Sequence, residues 1–561
     1  MPIAFGRLFF YLSDMKRVGL YVLFLLTIAP LRAGEKETRA FIRASWEKSV
    51  RYLPEDAGSH IGMPLPYTVP SVSGGFQELY YWDLFFTNEG LIIDGLVDQA
   101  RNNTENLAAM VERFGKILNG SNTFYLNRSQ PPVFSLMVRQ IYEATGDLDW
   151  LRGILPALEK EYRFWMTERM TPCGLNHDGN DASDEYILSF LGLVKRRFGE
   201  RFSLEGCSRE DSLRIGSHYV SEAECWDFTP RFKGECENYC PVDLNALLYG
   251  YEKNFAQFAR ILGDRKAARR WNKAARHRKS LMRKYFRDPE DGIWYDYDYI
   301  TGERSDVVSA AQFFLLLGGA VSRRDARGIV KSLSVLEYPH GISACEKGDY
   351  PFVYQWSYPN GWAPLQYVTV RGLDRYGYHK DARRIARHYV DLLTESFDRT
   401  GTLWEKYNVD EGNLNVSDEY KMPTMLGWTA GSYVWLTEYL KRGTKKATRK
   451  GGSGAENGIR TRGAASCAFA FYVTPWPQAA FPSGELEVAG QQPPTAKTKR
   501  QPQRAAVCFG AENGIRTRDL NLGKVALYQL SYFRVGIAKV RIKSIFANFF
   551  SLFCIFACRD L

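Results

Sequence analysis

The sequence predicts an all-α protein, a toroid or bundle of helices whose connecting loops build a site at one end. Helical periodicity dominates residues 90–440, because apolar residues recur there at three- and four-residue steps. Three such stripes run through residues 107–118, 244–258 and 385–393, and the first stops at Asn119-Gly120. The loops between them are rich in Gly, Pro, Asn and aromatic residues. Elaborate loops on a helical scaffold are typical places for binding and catalytic residues.

The positive charge of the chain is concentrated at its C-terminal end. The 561 residues have a formal net charge of +11, which by itself would favour a nucleic-acid or membrane partner. Residues 441–561, however, hold 20 Lys and Arg against 6 Asp and Glu, whereas residues 1–440 hold 54 against 57. The body is therefore nearly neutral, and we predict no nucleic-acid partner for it.

Composition divides the chain into three segments. Residues 1–33 contain Lys16-Arg17 and an apolar run over 18–31, which is typical of a secretory signal peptide, although a buried terminal helix or strand is an alternative and the true start could be Met15. Residues 34–440 form the predicted helical domain. Residues 441–561 are a basic low-complexity tail in which GAENGIRTR occurs twice, and we expect it to be disordered or an artefact of the gene model.

These segments predict a secreted, extracellular protein. A membrane partner is expected only if the signal stays uncleaved or if the apolar run at 545–558 serves as a lipid-anchor signal. The sequence predicts no particular oligomeric state.

The body of the chain contains the cysteines Cys173, Cys207, Cys225, Cys236, Cys240 and Cys345. In a secreted protein several of them could form disulfides, but the pairing does not follow from the sequence. A metal site is not expected, because Cys236 and Cys240 lack a second pair at ligand spacing and the seven histidines are scattered. We therefore predict no metal and no other cofactor.

Several loops combine aromatic residues with carboxylates. The stretches are ELYYWD, AECWD, WYDYDY, QWSYPNGW and TLWEKY. Aromatic rings stack on the apolar faces of sugars, while carboxylates accept hydrogen bonds from sugar hydroxyls. One Trp-Asp pair would be weak support, since tryptophan is commonly core and aspartate commonly a helix cap, but the recurrence favours a sugar-binding site.

Two of these carboxylates fit the chemistry of glycoside hydrolysis, which needs one protonated and one ionised carboxyl group. Asp227 lies between Trp226 and Phe228, and an apolar wall favours the protonated form that an acid requires. Glu405 stands beside Lys406, whose charge favours the ionised form that a base requires. From composition alone, a capped or salt-bridged carboxylate remains the alternative interpretation of both.

At these residues the chain resembles the trehalases of glycoside hydrolase family 37, over roughly residues 45–440. SGGFQELYYWDLFF resembles the first trehalase signature, and QWSYPNGWAPLQ resembles the second, which normally reads Gln-Trp-Asp-x-Pro-Asn-Gly-Trp-Ala-Pro. NGSNTFYLNRSQPP, AECWDFTPRF and PVDLNALLY lie between them in the family's order, and LWEKYNV follows.

The resemblance implies an (α/α)6 barrel that hydrolyses the disaccharide α,α-trehalose to two glucoses with inversion. It implies that Asp227 is the general acid and Glu405 the general base. The substrate-binding residues that it implies are Trp82, Asp83, Asn119, Arg128, Ser129, Gln130 and Glu419. It implies no metal.

The sequence departs from the family pattern where sugar hydroxyls would be held. Gly75 stands where the first signature normally carries an arginine. A second arginine has no counterpart in NDASDEY, and the aspartate of the second signature is Ser357. Cys225 replaces a glycine, and residues 423–426 replace Gln-Asp-Gly-Phe. The alternatives to a trehalose hydrolase are therefore a hydrolase of another α-glucoside, a non-catalytic sugar-binding relative and a purely structural helical protein.

Overall fold

The computed structural model of the chain describes residues 34–416, 421–424 and 427–451, with side chains as far as 442. The predicted signal peptide, Glu419 and the tail beyond 451 lie outside these residues. The described helices are α1 (Gly34–Ser45), α2 (Asp83–Ile93), α3 (Val97–Phe114), α4 (Phe134–Thr145), α5 (Leu148–Glu168), α6 (Asp184–Phe198), α7 (Arg209–Glu222), α8 (Val242–Ile261), α9 (Arg265–Tyr285), α10 (Phe313–Gly318), α11 (Arg323–Lys331), α12 (Leu333–Leu336), α13 (Ala363–Arg375), α14 (His379–Thr400) and α15 (Trp428–Gly451).

Six of the described helices form a closed inner ring, in the order α2, α4, α8, α10, α13 and α15, with α15 packed against α2. A second layer surrounds them: α3 packs on α2 and α4, α5 on α3 and α4, α9 on α8, and α14 on α13 and α15, while α1 packs on α14. The core lies between the two layers, because each helix buries its apolar stripe there. The predicted all-α, (α/α)6 fold class is confirmed.

The connections differ in length at the two ends of the ring. Inner helices pass to outer ones through short links at 94–96, 146–147, 262–264, 319–322 and 376–378. The return paths to inner helices are long, at 115–133, 286–312, 337–362 and 401–427. Since helices of this ring alternate between the layers, the long loops gather at the N-terminal ends of the inner helices. They build the end of the ring where a site is expected.

Short antiparallel strand pairs lie in these long loops. Their strands are β1 (Val50–Arg51), β2 (Tyr67–Thr68), β3 (Tyr239–Cys240), β4 (Tyr297–Asp298), β5 (Glu337–Tyr338), β6 (Gly341–Ile342), β7 (Asn360–Trp362) and β8 (Lys406–Asn408), and each odd-numbered strand pairs with the next. In the last pair Trp362 lies opposite Lys406. The pairing of β7 with β8 thereby joins the two loops that lead into α13 and α15.

The helices α6 and α7 pack against each other and interrupt the alternation between α5 and α8. The Ser183 hydroxyl caps α6 by accepting the N–H of Tyr186, and Ser208 and Asp211 form a capping box on α7. A side chain at Gly216 would place its Cβ 2.5 Å from Ile187, so glycine is needed where these two helices meet. Together they bury a second apolar cluster that includes Phe198 and Phe228.

Helix boundaries follow the apolar stripes in two cases out of three. The stripe at 244–258 lies within α8 and that at 385–393 within α14. The first stripe overshoots, because α3 ends at Phe114, where Gly115 takes a left-handed conformation with φ 78°. Ile117 and Leu118 are buried in the loop that follows. The last helix, Trp428–Gly451, runs past the domain boundary predicted at 440. No helix in the described part of the chain combines the length and apolarity that a bilayer span requires.

Candidate active site

Asp227 lies on the loop 223–241 that leads from α7 into α8, and it is half-buried. The indole Nε1 of Trp356 donates a hydrogen bond to Asp227 Oδ1 at 3.0 Å, and the side-chain amide of Gln355 donates to the Asp227 carbonyl at 3.3 Å. Both donors belong to the QWSYPNGW stretch of the loop 337–362. The two loops are therefore joined at the carboxyl group itself.

Arg231, four residues after Asp227, is not the partner of that carboxylate. Its guanidinium is fully buried and binds Asp243 at 2.7 Å and Asp296 at 2.8 Å. It also lies over the ring of Trp226 at 4.4 Å. A short 3-10 turn at Pro230–Phe232 directs it away from Asp227. This buried ion cluster anchors the loop to α8 and to the WYDYDY stretch, in which Asp296 has a structural role.

The backbone next to Asp227 takes an unusual conformation. Phe228 has φ 64°, in the left-handed region that bulky residues rarely adopt. Glu222, at the end of α7, supports it by accepting the N–H of Thr229 at 2.7 Å. Burial raises the pKa of Glu222 to about 8, and the nearby charge of Asp227 raises it as well. The Phe228 ring packs with Phe198 and Tyr219 from α6 and α7.

Glu405 directly precedes β8 in the loop 401–427 and is almost fully buried. Its Oε2 lies 2.8 Å from Nζ of Lys406, which is also buried and sits over the Trp362 ring at 4.9 Å. The Trp428 indole donates to the Glu405 carbonyl at 3.3 Å. A buried ammonium beside a carboxylate favours the ionised form of that carboxylate.

Tryptophan rings connect the surroundings of the two carboxylates. Trp226 stacks on Trp356 with centroids 5.2 Å apart, and Trp356 stacks on Trp362 at 3.8 Å. Trp82 lies 5.8 Å from Trp356 and 5.9 Å from Trp428. All of these rings are buried, so they form a packed floor behind the carboxylates.

Asp83 interacts electrostatically with both Asp227 and Glu405. It is the first residue of α2 and is buried. Burial raises the pKa of Asp83 well above its usual value, and the charges of Glu405 and then Asp227 raise it further. Asp83 thus lies within electrostatic reach of both. The structure brings these three carboxyls, from separate parts of the chain, to one end of the ring.

Gln130, Asn119 and Ser129, which the sequence also predicts for the site, make hydrogen bonds in which one partner is a backbone group. Gln130 accepts the Trp82 N–H at 3.0 Å, and the Asn119 side-chain amide donates to the Ala223 carbonyl at 3.1 Å. The Ser129 N–H donates to Glu224 Oε1 at 2.7 Å, and the Ser129 side chain is fully buried. Glu419 lies outside the described residues.

Arg128 is buried and held by its neighbours. Its Nη1 donates to Asn127 Oδ1 at 2.8 Å and to the Tyr186 hydroxyl at 2.9 Å. The guanidinium lies over the rings of Phe124 and Tyr125, at 4.9 and 5.1 Å. The buried Nε has no hydrogen-bond partner among the described atoms. Tyr186 belongs to α6, so that helix contacts both Arg128 and the loop 223–241 that carries Asp227.

The positions that depart from the family pattern have different surroundings. Gly75 is exposed, and a Cβ there would meet nothing within 4 Å, so packing does not forbid an arginine. Ser183 serves as the cap of α6. Ser357 is buried, and its hydroxyl has no partner among the described atoms. Nothing in the structure explains the loss of the arginine at Gly75.

Some contributors to the site are missing from the sequence prediction. Trp356 lies in a quoted motif, but only the structure shows that it donates to Asp227. Glu222 has no sequence signal beyond its place in an acidic stretch.

Asp178, Cys225 and Cys236 place potential metal-ligand atoms within 4.8 Å of one another. They supply three of the four ligands that structural zinc sites use.

Comparison with known proteins relates most of the chain to one family. The sequence model of the trehalase family matches residues 33–188 and 209–441. The periplasmic trehalase of Salmonella agona strain SL483 is 31% identical over 445 residues, which cover 73% of this chain and 76% of that protein. The periplasmic trehalase of Escherichia coli O1:K1 is 30% identical over 409 residues, covering 68% of this chain and 70% of that protein.

Two solved structures share the fold of this chain. Neutral trehalase Nth1 from Saccharomyces cerevisiae is 26% identical, with a TM-score of 0.58 over 73% of this chain and 82% of that one. The GH63 mannosylglycerate hydrolase from Thermus thermophilus shares the fold, with a TM-score of 0.51 at 16% identity over 71% of this chain and 99% of that one. The unmatched interval 189–208 covers α6 from its sixth residue to its end, together with the link to α7.

Proposed function

The chain belongs to the trehalase family of glycosidases, and we propose that it hydrolyses α,α-trehalose to two glucose molecules with inversion. The observation that carries the proposal is the stack of Trp356 on Trp362. Trp356 donates a hydrogen bond to Asp227, and Trp362 lies under Lys406, the ion-pair partner of Glu405. Hydrolysis of a glycosidic bond needs an acid and a base on opposite sides of the sugar ring.

Asp227 acts as the general acid and protonates the oxygen between the two sugars. Trp356 holds its Oδ1 by a hydrogen bond, which leaves Oδ2 to carry the proton. Glu405 acts as the general base and takes a proton from the attacking water. The ammonium of Lys406 stabilises the charge that this role requires.

Asp83 stays protonated and binds sugar hydroxyls. Burial raises the pKa of Asp83 well above its usual value and the charge of Glu405 raises it further, so Asp83 keeps its proton beside the ionised base. A neutral carboxyl both donates and accepts hydrogen bonds, as a sugar hydroxyl requires. Trp82, Asn119, Arg128, Ser129, Gln130 and Glu419 complete the proposed substrate site.

Export from the cytosol is part of this proposal. It is supported by the charged start and apolar run within residues 1–33 and by the periplasmic relatives. The mature protein recovered from its host should begin near Gly34 on N-terminal sequencing, and a mature chain that retains residues 18–31 would refute the cleaved signal.

Glucose release from trehalose by the purified chain tests the activity. Asp227→Asn and Glu405→Gln should each lower kcat by about 100-fold to 10,000-fold, because each removes one proton-transfer group. Asp149→Asn is the matched control, since the Asp149 side chain is 93% exposed in its ion pair with Arg152. Circular dichroism should show all of these variants folded.

The failures of this test have distinct meanings. Folded protein that binds trehalose in calorimetry without releasing glucose would be a sugar-binding relative instead. Glucose release from other α-glucosides but not from trehalose would change the substrate. Activity of Asp227→Asn within tenfold of the unaltered chain would remove Asp227 from the role of acid.

A further inference from the structure

Two cysteines that the proposed reaction does not use face each other beside the loop 223–241, which carries Asp227. Cys173 Sγ and Cys240 Sγ are 3.8 Å apart. Cys173 lies in the connection between α5 and α6, and Cys240 is in β3, shortly before α8. We propose that these two residues form a disulfide that links the two ends of the segment carrying Asp227.

The backbones on both sides are already fixed. Thr171 and Leu175 form a tight turn around Cys173, since the Thr171 N–H and hydroxyl both donate to the Leu175 carbonyl, at 2.9 and 2.7 Å. Cys240 is paired with Tyr297 across β3 and β4. Side-chain rotation with a small backbone adjustment has to bring the sulfurs to the bond length of about 2.05 Å.

The surroundings also favour reaction at one sulfur. Cys173 is half-buried, and contacts with the Cys240 thiol and the Thr171 hydroxyl lower the pKa of Cys173 to about 6. The ammonium of Lys284 lies within electrostatic reach of it. The hydrogen bond to Cys173 and burial raise the pKa of Cys240. Cys173 is therefore the attacking thiolate at neutral pH, and Cys240 the resolving thiol.

Formation of the bond proceeds by exchange with a small-molecule disulfide such as oxidised glutathione. The Cys173 thiolate attacks one sulfur of glutathione disulfide, forms a mixed disulfide and releases one glutathione thiolate. Cys240 loses its proton to solvent, attacks the Cys173 sulfur and displaces the second glutathione thiolate. Two protein thiols are oxidised and one glutathione disulfide is reduced to two thiols.

A second pair of cysteines provides a comparison inside the same chain. Cys225 and Cys236 lie in the group whose potential ligand atoms are within 4.8 Å of one another, with Asp178. Both are buried, so a small-molecule disulfide in solvent does not reach their sulfurs, whereas Cys173 is half-buried. The two should remain thiols under conditions that oxidise Cys173 and Cys240.

The position of the bond gives it a structural effect. Cys173 and Cys240 are 67 residues apart in the chain. The segment between them contains α6, α7 and the loop of Asp227. A cross-link at its base limits the unfolded conformations of this segment and so stabilises the folded chain. Such bonds persist in oxidising compartments, which agrees with the proposed export.

Peptide mapping of the full chain tests the pairing. The reduced protein is incubated at pH 7 with oxidised glutathione, unfolded, treated with iodoacetamide, digested and analysed by mass spectrometry without reduction. We expect a cross-linked peptide that contains Cys173 and Cys240, and alkylated Cys225 and Cys236. The unfolding temperature should be several degrees higher for the oxidised than for the reduced chain. Cys173→Ala and Cys240→Ala should each abolish that difference.

Other results would overturn the inference. Alkylation of Cys173 and Cys240 in the oxidised sample, or pairing of Cys173 with Cys207, would contradict the assigned bond. So would an unfolding temperature that responds equally to reduction in the unaltered chain and in either alanine variant. None of these measurements needs trehalose, so they separate the disulfide from the proposed activity.

Discussion

Glu222 shows how a residue outside the proposed reaction supports the loop that carries Asp227. Its Oε1 accepts the Thr229 N–H, two residues beyond Asp227, and its Oε2 is buried without a hydrogen-bond partner among the described atoms. Tyr219 and Tyr354 lie close enough for the charge of Glu222 to raise their pKa values, and Arg231 opposes the upward shift of the Glu222 pKa. A neutral carboxyl fits this position best.

Glu222→Gln is therefore expected to change the pH dependence of stability. Burial raises the folded-state pKa of Glu222 from 4.5 to about 8, so the folded chain binds this proton more tightly than the unfolded chain. The resulting stability is fully present below about pH 4.5 and is lost as the pH rises through 8. The loss amounts to a few kcal/mol, on the order of 1.4 per pKa unit. Glutamine does not ionise, so the variant should lose less stability.

Thermal unfolding at pH 5.5 and pH 9 measures this difference. Glu161, whose pKa burial raises to about 7, remains in both proteins and provides the common background. Glucose release at pH 5.5 should stay within about threefold, because glutamine keeps the oxygen that accepts the Thr229 N–H. Equal falls in unfolding temperature for both proteins would show that Glu222 does not titrate as described.

Sequence reasoning at this scale named the candidate acid and base but not their supports. Asp227 and Glu405 stand in motifs, so a resemblance identifies them. Arg231 is four residues from Asp227 in the chain, yet its partners Asp243 and Asp296 come from other elements. Side-chain direction after a 3-10 turn depends on backbone geometry that residue spacing does not reveal.

At the scale of elements, α6 and α7 form the wall that holds the left-handed Phe228. Phe198 at the end of α6 stacks on Phe352 at 4.2 Å and meets the Phe228 ring edge-on at 5.4 Å. Arg197 covers the Phe228 ring at 4.0 Å. Phe198 and Arg197 lie in the interval that the family model does not match. Residues outside the interval that the family model matches thus pack against the loop that carries Asp227.

Phe198→Ala should therefore reduce turnover as well as stability. Removing the ring leaves a cavity beside Phe228, which costs about 3–5 kcal/mol if the cluster does not collapse. A loosened loop misplaces Asp227, so kcat should fall by about 10-fold to 100-fold while KM changes less. Steady-state kinetics on trehalose, below the unfolding temperature of the variant, measures the two constants.

Phe258→Ala is the matched control. Phe258 is fully buried near the C-terminal end of α8, away from the long loops. Its removal should cost similar stability and leave kcat within about twofold. If both variants lose kcat equally, the effect reflects general destabilisation, and the support of the acid loop by α6 would be refuted.

Helical periodicity identified α8 and α14 from sequence because their stripes face the core along their whole length. The first stripe predicts a helix that continues to Leu118, but Ile117 and Leu118 are buried residues of the loop that follows α3. Helix α6 contacts the loop 223–241 through Phe198 and Phe228. It contacts the loop 337–362 through Phe198 and Phe352, which are far apart in the chain. Periodicity carries no information about such contacts.

At the scale of the whole molecule, the ring of helices explains why residues from distant stretches act together. Asp83, Asp227 and Glu405 belong to three of the chain segments that lead into inner helices, and all these segments end at the same side of the ring. The sequence predicted the fold class and that the connecting loops gather at one end of it. It did not predict the order of packing, which depends on which helix faces meet in space.

Proton NMR of the products as they first form tests the central claim most directly. An acid–base pair that inverts configuration should release one α-glucose and one β-glucose from each α,α-trehalose, before mutarotation mixes them. Equal initial amounts of the two anomers are therefore expected. Initial release of α-glucose alone would mean retention through a covalent intermediate, and would contradict the roles proposed for Asp227 and Glu405.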